Sequence, residues 1–135
     1  MKKILILCIY ILVNSIYSQD IKITGLKDSF KRNETIKYSI MNTKNQKIIY
    51  FVGIEKLMTE WREIISDVEN PNSKICTFKV LNPNLSVSKK INLIKLSLLK
   101  NSNFRSKYRL VISYEIVNDT TRRYFFSNPF RIINK

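Results

Sequence analysis

In the stretch "KYRLVISYEI" every second residue, from Tyr108 through Leu110, Ile112 and Tyr114 to Ile116, is large and apolar. Arg109, Val111, Ser113 and Glu115 fill the alternate positions. A period of two puts the first set on one side of a strand and the second on the other. A helix would scatter both sets around its axis. This stretch therefore requires a sheet with one buried face.

The rest of the chain offers the same material. Isoleucine and other β-branched or aromatic residues dominate, alanine is absent, and the two glycines are Gly25 and Gly53. Such a composition favours strands over helices. Ile21 to Leu26 reads as a first strand, and "KDSFKRNE" as a polar connection. "TIKYSIMN" sets Ile36, Tyr38 and Ile40 on one face. "KIIYFVGIEKL" is apolar on both faces, which suits a central strand covered on both sides. "KICTFKVL" aligns Cys76, Phe78 and Val80, and "KKINLIKL" follows a break at Pro83. A single helical turn is expected through "SLLKNSN". The chain closes on "NDTT" as a turn and "RRYFFSNPFRII" as a returning strand. Seven to eight short strands with frequent turns predict an all-β, antiparallel sandwich.

The segment "EKLMTEWREIISDVEN" is ambiguous. Leu57, Met58, Trp61, Ile64, Ile65 and Val68 stand at helical spacing. A strand pair is the competing reading, preferred for a reason given below.

The amino terminus reads as an address. Met1, Lys2 and Lys3 precede the apolar run Ile4 to Val13, and Ser18 offers a small residue for cleavage. This is the layout of a secretory signal peptide over residues 1–18, leaving a domain over residues 19–135. The apolar run is too short to cross a hydrocarbon core of roughly 30 Å as a helix. No stable membrane insertion is expected after cleavage. Removal of Lys2 and Lys3 lowers the net charge from +14 to +12. It also leaves Cys76 as the one cysteine, which rules out an internal disulfide and reads as a small buried hydrophobe. A basic balance can signal a polyanion partner, but abundant lysine beside missing alanine reads first as the mark of AT-rich codon usage.

The missing chemistry is informative. Without histidine there is no imidazole base and no histidine metal ligand. Two isolated glycines cannot build a phosphate-cradling loop. Glu55, Glu60 and Glu63 read as solvated partners for lysines. No cofactor, no metal and no enzymatic activity are expected.

With these residues in view, the chain from Ile21 to Ile132 resembles the small bacterial immunoglobulin-like domains of secreted and envelope proteins. The resemblance rests on "SKYRLVISYE", the closing "SNPFRI", and "GIEK" followed closely by Trp61. It implies that the middle segment is a strand pair with Trp61 opening the second strand. Ser106 stands where those domains usually carry glycine. Beside the resemblance, Tyr108 at the start of its strand is expected to form a tyrosine corner, its hydroxyl bonding back to the backbone. Trp61 is expected at the core or its edge.

Two faces of "TRRYFFSNPFR" separate by alternation: Arg123 with Phe125, and Arg122 with Tyr124 and Phe126. A modest exposed patch around Arg122, Arg123 and Tyr124 is the candidate partner surface. It falls short of the broad basic groove and stacking aromatics of nucleic-acid binders. The reading is a secreted or periplasmic non-catalytic binding or accessory module, monomeric, with an envelope or extracellular protein or an acidic glycan as partner. The alternatives are an inhibitor that inserts "VENPNSK" or "NDTT" into the cleft of a protease or other hydrolase, and a spacer that binds nothing.

Overall fold

The computed structural model describes residues 19–71, 77–96 and 106–133. The segment expected to be a signal peptide, Cys76 and the helical turn expected through "SLLKNSN" lie outside the described residues. The described part is all-β, with one 3-10 turn at Leu93–Lys95. Among the described residues, no helix is long and apolar enough to cross a membrane.

Among the described residues ten strands form two sheets. They are β1 (Ile21–Thr24), β2 (Ser29–Lys31), β3 (Thr35–Asn42), β4 (Ile48–Leu57), β5 (Trp61–Ile65), β6 (Lys79–Leu81), β7 (Ser86–Asn92), β8 (Lys107–Ile116), β9 (Arg123–Phe126) and β10 (Phe130–Ile133). The smaller sheet runs β1-β3-β7. The larger runs β2-β10-β8-β4-β5, with β6 also paired to β4 and β9 also paired to β8. Isoleucines 21, 36, 40 and 91 of the smaller sheet pack with Tyr50, Val52, Ile54, Leu110 and Ile112 of the larger in one core. These are the alternating residues that a period of two assigns to a single face.

The middle segment is a strand pair, and Trp61 opens the second strand. Helical spacing lost because sheet pairing with β4 buries Ile65 and satisfies the backbone at once. A bulge between Ile54 and Glu55 shifts the register, and Gly53 lies beside it. A Cβ on Gly53 would stand 2.7 Å from the Ile65 carbonyl oxygen, so this close approach requires glycine.

Three expectations change. The polar connection "KDSFKRNE" contains β2, whose Phe30 is buried against Phe130 in an edge-on contact at 5.5 Å. β2 pairs with β10 in parallel, so the sandwich is not purely antiparallel. The returning run "RRYFFSNPFRII" is two strands rather than one. β9 pairs with Val111 to Tyr114, and β10 pairs with Lys107 and Tyr108. Ser127 spans the gap: its hydroxyl accepts the Leu110 amide at 2.9 Å, and its own amide donates to the Leu110 carbonyl at 3.0 Å. The two short runs "RRYFF" and "PFRII" thus share one long partner, which raises the strand count above eight.

Buried polar side chains hold the connections. The Asn42 amide nitrogen donates to the carbonyls of Gln46 at 2.8 Å, Leu81 at 3.2 Å and Asn82 at 3.1 Å. Its oxygen accepts the Lys44 amide at 3.0 Å. Asp67 accepts the amides of Glu69 and Thr77, each at 2.9 Å, and so ties these two positions together.

Candidate aromatic groove on the outer face of the larger sheet

The outer face of the larger sheet collects the residues that alternate with its core positions. β4 supplies Ile49, Phe51 and Glu55, β8 supplies Arg109, Val111, Ser113 and Glu115, and β9 supplies Tyr124 and Phe126. Tyr124 is 58% exposed, Phe126 44% and Phe78 53%. Phe51 meets Phe78 edge-on at 5.5 Å, and the Tyr124 and Phe126 rings are nearly parallel at 6.5 Å. The expectation that both sides of β4 would be covered is therefore half met. Ile48, Tyr50, Val52 and Ile54 enter the core, while Ile49 and Phe51 stay half-buried on an open face.

The two arginines beside these aromatic rings are already matched. Arg109 donates to Glu55 at 2.7 Å, and its guanidinium carbon lies 4.3 Å from the Trp61 ring centre and 3.9 Å from that of Phe126. Arg122 donates twice to Glu115, at 3.2 and 3.1 Å, and stands 5.9 Å from the Phe51 ring centre. Glu60 pairs with Arg62 at 3.3 Å. The partners of Glu55 and Glu60 are arginines, not the lysines expected, because pairing across the sheet brings Arg109 to Glu55. Glu63 lies across from Glu55 in the β4–β5 register and has no ion pair among the described residues.

These side chains enclose a groove of about 480 Å³. Glu63 and Ser66 form one wall, Tyr124 and Phe126 the other, and Val111 and Ser113 lie between them. Ser113 is 3% exposed, and its hydroxyl has no hydrogen-bond partner among the described residues. A buried hydroxyl without a partner costs about 1–3 kcal/mol, which makes Ser113 a point of unmet demand in the groove.

The six residues singled out from the sequence separate. Arg122 and Tyr124 meet on the groove face, and Trp61 sits half-buried at its edge beside Arg109. Arg123 points the other way. It donates to Asp20 at 2.8 Å and to Asp119 at 2.7 Å, fastening β9 to the start of β1. It is thus not part of the patch with Arg122 and Tyr124. Tyr108 is in the core, 1% exposed, with its ring 6.1 Å from Phe130. Its hydroxyl makes no hydrogen bond among the described residues, so the expected bond of a tyrosine corner is not formed there. Cys76 lies outside the described residues.

Phe51, Arg109, Ser113 and Glu63 joined the site only through cross-strand register. The signal available for them was "IIYFV", whose second apolar face marks a surface to be covered. Among the described residues, no three histidine, cysteine, aspartate or glutamate side chains cluster to hold a metal ion.

The smaller sheet presents a different surface. Lys37 stands opposite Lys90, beside Ser39 and Ser88, whose hydroxyls lie 3.1 Å apart. Neither lysine has an ion pair among the described residues.

The fold and the groove define a β-sandwich with an aromatic outer face, compatible with an immunoglobulin-like domain. No protein-family model matches the chain, and neither does any curated protein.

Proposed function

We propose that the protein is a secreted or periplasmic, non-catalytic immunoglobulin-like binding module whose contact surface is the outer face of the larger sheet. The observation that carries this reading is the exposure of Tyr124, Phe126 and Phe78 together on one face. Exposed aromatics beside arginine are the composition of protein–protein contact centres. Because Arg109 and Arg122 are both paired with carboxylates, the aromatic part of the face has little to offer a polyanion. An envelope or extracellular protein is therefore favoured over an acidic glycan.

The test is comparative capture from the native cell envelope. Replacing Tyr124 and Phe126 by serine should weaken binding of the captured partner at least tenfold. Replacing Lys37 and Lys90 by serine should change it less than twofold at 0.15 M salt. Equal losses would refute the reading.

A second reading is supported by Asp67. Its buried carboxylate ties Glu69 to Thr77, and a pinned loop base is what an inhibitor of a protease or other hydrolase needs. Inhibition of a protease or lysozyme-type hydrolase that is abolished by substitutions between Glu69 and Pro71, yet unaffected at Tyr124, would favour this second reading.

A further inference from the structure

We propose that the groove between β5 and β9 receives a basic side chain, arginine or lysine, presented by the protein partner. This inference rests on the reading of that face as the contact surface and names what the surface recognises.

The first observation is the imbalance of charge. Among the described residues Arg122 is the one cation lining the groove, and its guanidinium is held by two bonds to Glu115. Glu55 is likewise held by Arg109. Glu63 remains, a carboxylate in the wall with no ion pair among the described residues. On a chain with net charge +14, a groove whose unmatched charge is negative stands out.

The second observation is Ser113. It is nine-tenths buried or more, lines the groove, and its oxygen has no partner among the described residues. Its cross-strand neighbours are Phe51 and Tyr124. Tyr124 is mostly exposed, so its ring can move aside. An incoming donor that reaches the Ser113 oxygen recovers a hydrogen bond the folded protein lacks.

The third observation is the aromatic wall. Ring faces attract cations, and guanidinium stacks on them. The molecule already uses this contact internally, with Arg109 lying over Trp61 and Phe126. A lone carboxylate, an unpaired oxygen and ring faces together ask for a cation with several donors and an apolar stem. Arginine and lysine side chains have both.

The test is a titration of the isotope-labelled protein, followed by amide NMR at 0.15 M salt. The probes are acetyl-Gly-Arg-Gly-amide and its neutral citrulline counterpart. Amides of Glu63, Ser113, Tyr124 and Phe126 should shift with the arginine peptide, at an affinity at least fivefold above that of the citrulline peptide. Glu63→Gln should lower that affinity at least threefold. Ser113→Ala should weaken the peptide without lowering the melting temperature, since it removes an unsatisfied hydroxyl. Equal affinity for the two peptides, or shifts confined to other residues, would overturn the proposal. A heparin fragment that shifts these amides while the arginine peptide does not would also overturn it and assign the face to an acidic glycan. Partner capture that is lost in the Tyr124 and Phe126 double variant but unchanged in Glu63→Gln would refute the basic side chain while leaving the contact surface standing. Capture unaffected by the double variant would refute the surface itself.

Discussion

Arg109 and Glu55 face each other across the β4–β8 register at 2.7 Å, and both are less than one-fifth exposed. The pair ties the outer face together where a second layer of core would otherwise be needed. Breaking a partly desolvated pair from one side leaves its partner stranded. Arg109→Ala should therefore cost about 1–3 kcal/mol, part of it lost packing on Trp61 and Phe126. Denaturant unfolding checks this, and a change below about 0.5 kcal/mol would show the pair to be no better than a surface contact.

Tyr108 bears on the opposite sign. Its hydroxyl is enclosed without a hydrogen-bond partner among the described residues. Tyr108→Phe keeps the ring against Phe130 and removes the unsatisfied oxygen. The expected result is unchanged or increased stability, by up to about 1 kcal/mol. A loss above that figure would mean that the hydroxyl is bonded after all and that a tyrosine corner exists.

At Gly53 the constraint is space, since an added methyl group would meet the Ile65 carbonyl at 2.7 Å and that of Ser66 at 3.2 Å. Both obstacles are backbone atoms and cannot rotate away. Gly53→Ala should destabilise by about 1–3 kcal/mol and disturb the bulge at Ile54. Exchange protection of the Val68 amide, which bonds the Val52 carbonyl at 2.8 Å, should fall with it.

Asn42 is fully buried and contacts four backbone groups from two connections. Alanine there would leave several of them unsatisfied. The expected cost is about 2–4 kcal/mol, and Asn42→Asp should also destabilise because a carboxylate cannot donate. Thermal unfolding of both variants would reveal the error if either matched the parent.

Acid should weaken the fold through Asp20 and Glu69. Burial pushes the Asp20 carboxyl up, but bonds from Lys44, Arg123 and Tyr114 outweigh it, and the net pKa lies below the ordinary 3.8. Burial also opposes ionisation of Glu69, and Lys79 and Lys89 overcome it in the same way. In both cases the unfolded chain takes up the proton before the folded one. The stability they contribute is present above the ordinary carboxylate range and is lost as pH falls through the lowered folded values. Asp20→Asn should flatten this acid limb in a series of melts from pH 6 to pH 2 (roughly the span over which carboxylates titrate). An unchanged slope would exclude Asp20 as its source. The Tyr114 phenol, raised to about 12 mainly by burial and then by Asp20, stays protonated throughout that series.

The sequence by itself determined the strands with clear alternation. Tyr108 to Ile116 and Ile36 to Ile40 sit as a period of two requires, because burying one face of a strand leaves no other register. It also separated Arg122, Tyr124 and Phe126 from Arg123 and Phe125, since adjacent residues must point to opposite faces. Local pattern could not reveal β2, because three residues with one buried Phe30 carry no period, and their parallel partner lies a hundred positions away. Nor could it show that Arg123 would be claimed by Asp20 and Asp119, or that Tyr108 would close over its hydroxyl without a bond. The groove belongs wholly to tertiary structure. Glu63, Phe51, Ser113 and Tyr124 come from four different strands, and only the order β5-β4-β8 with β9 alongside sets them on one face. Alternation decides which side of its own strand a residue occupies. Which residues then become neighbours is decided by strand pairing, and pairing depends on the fold of the whole chain.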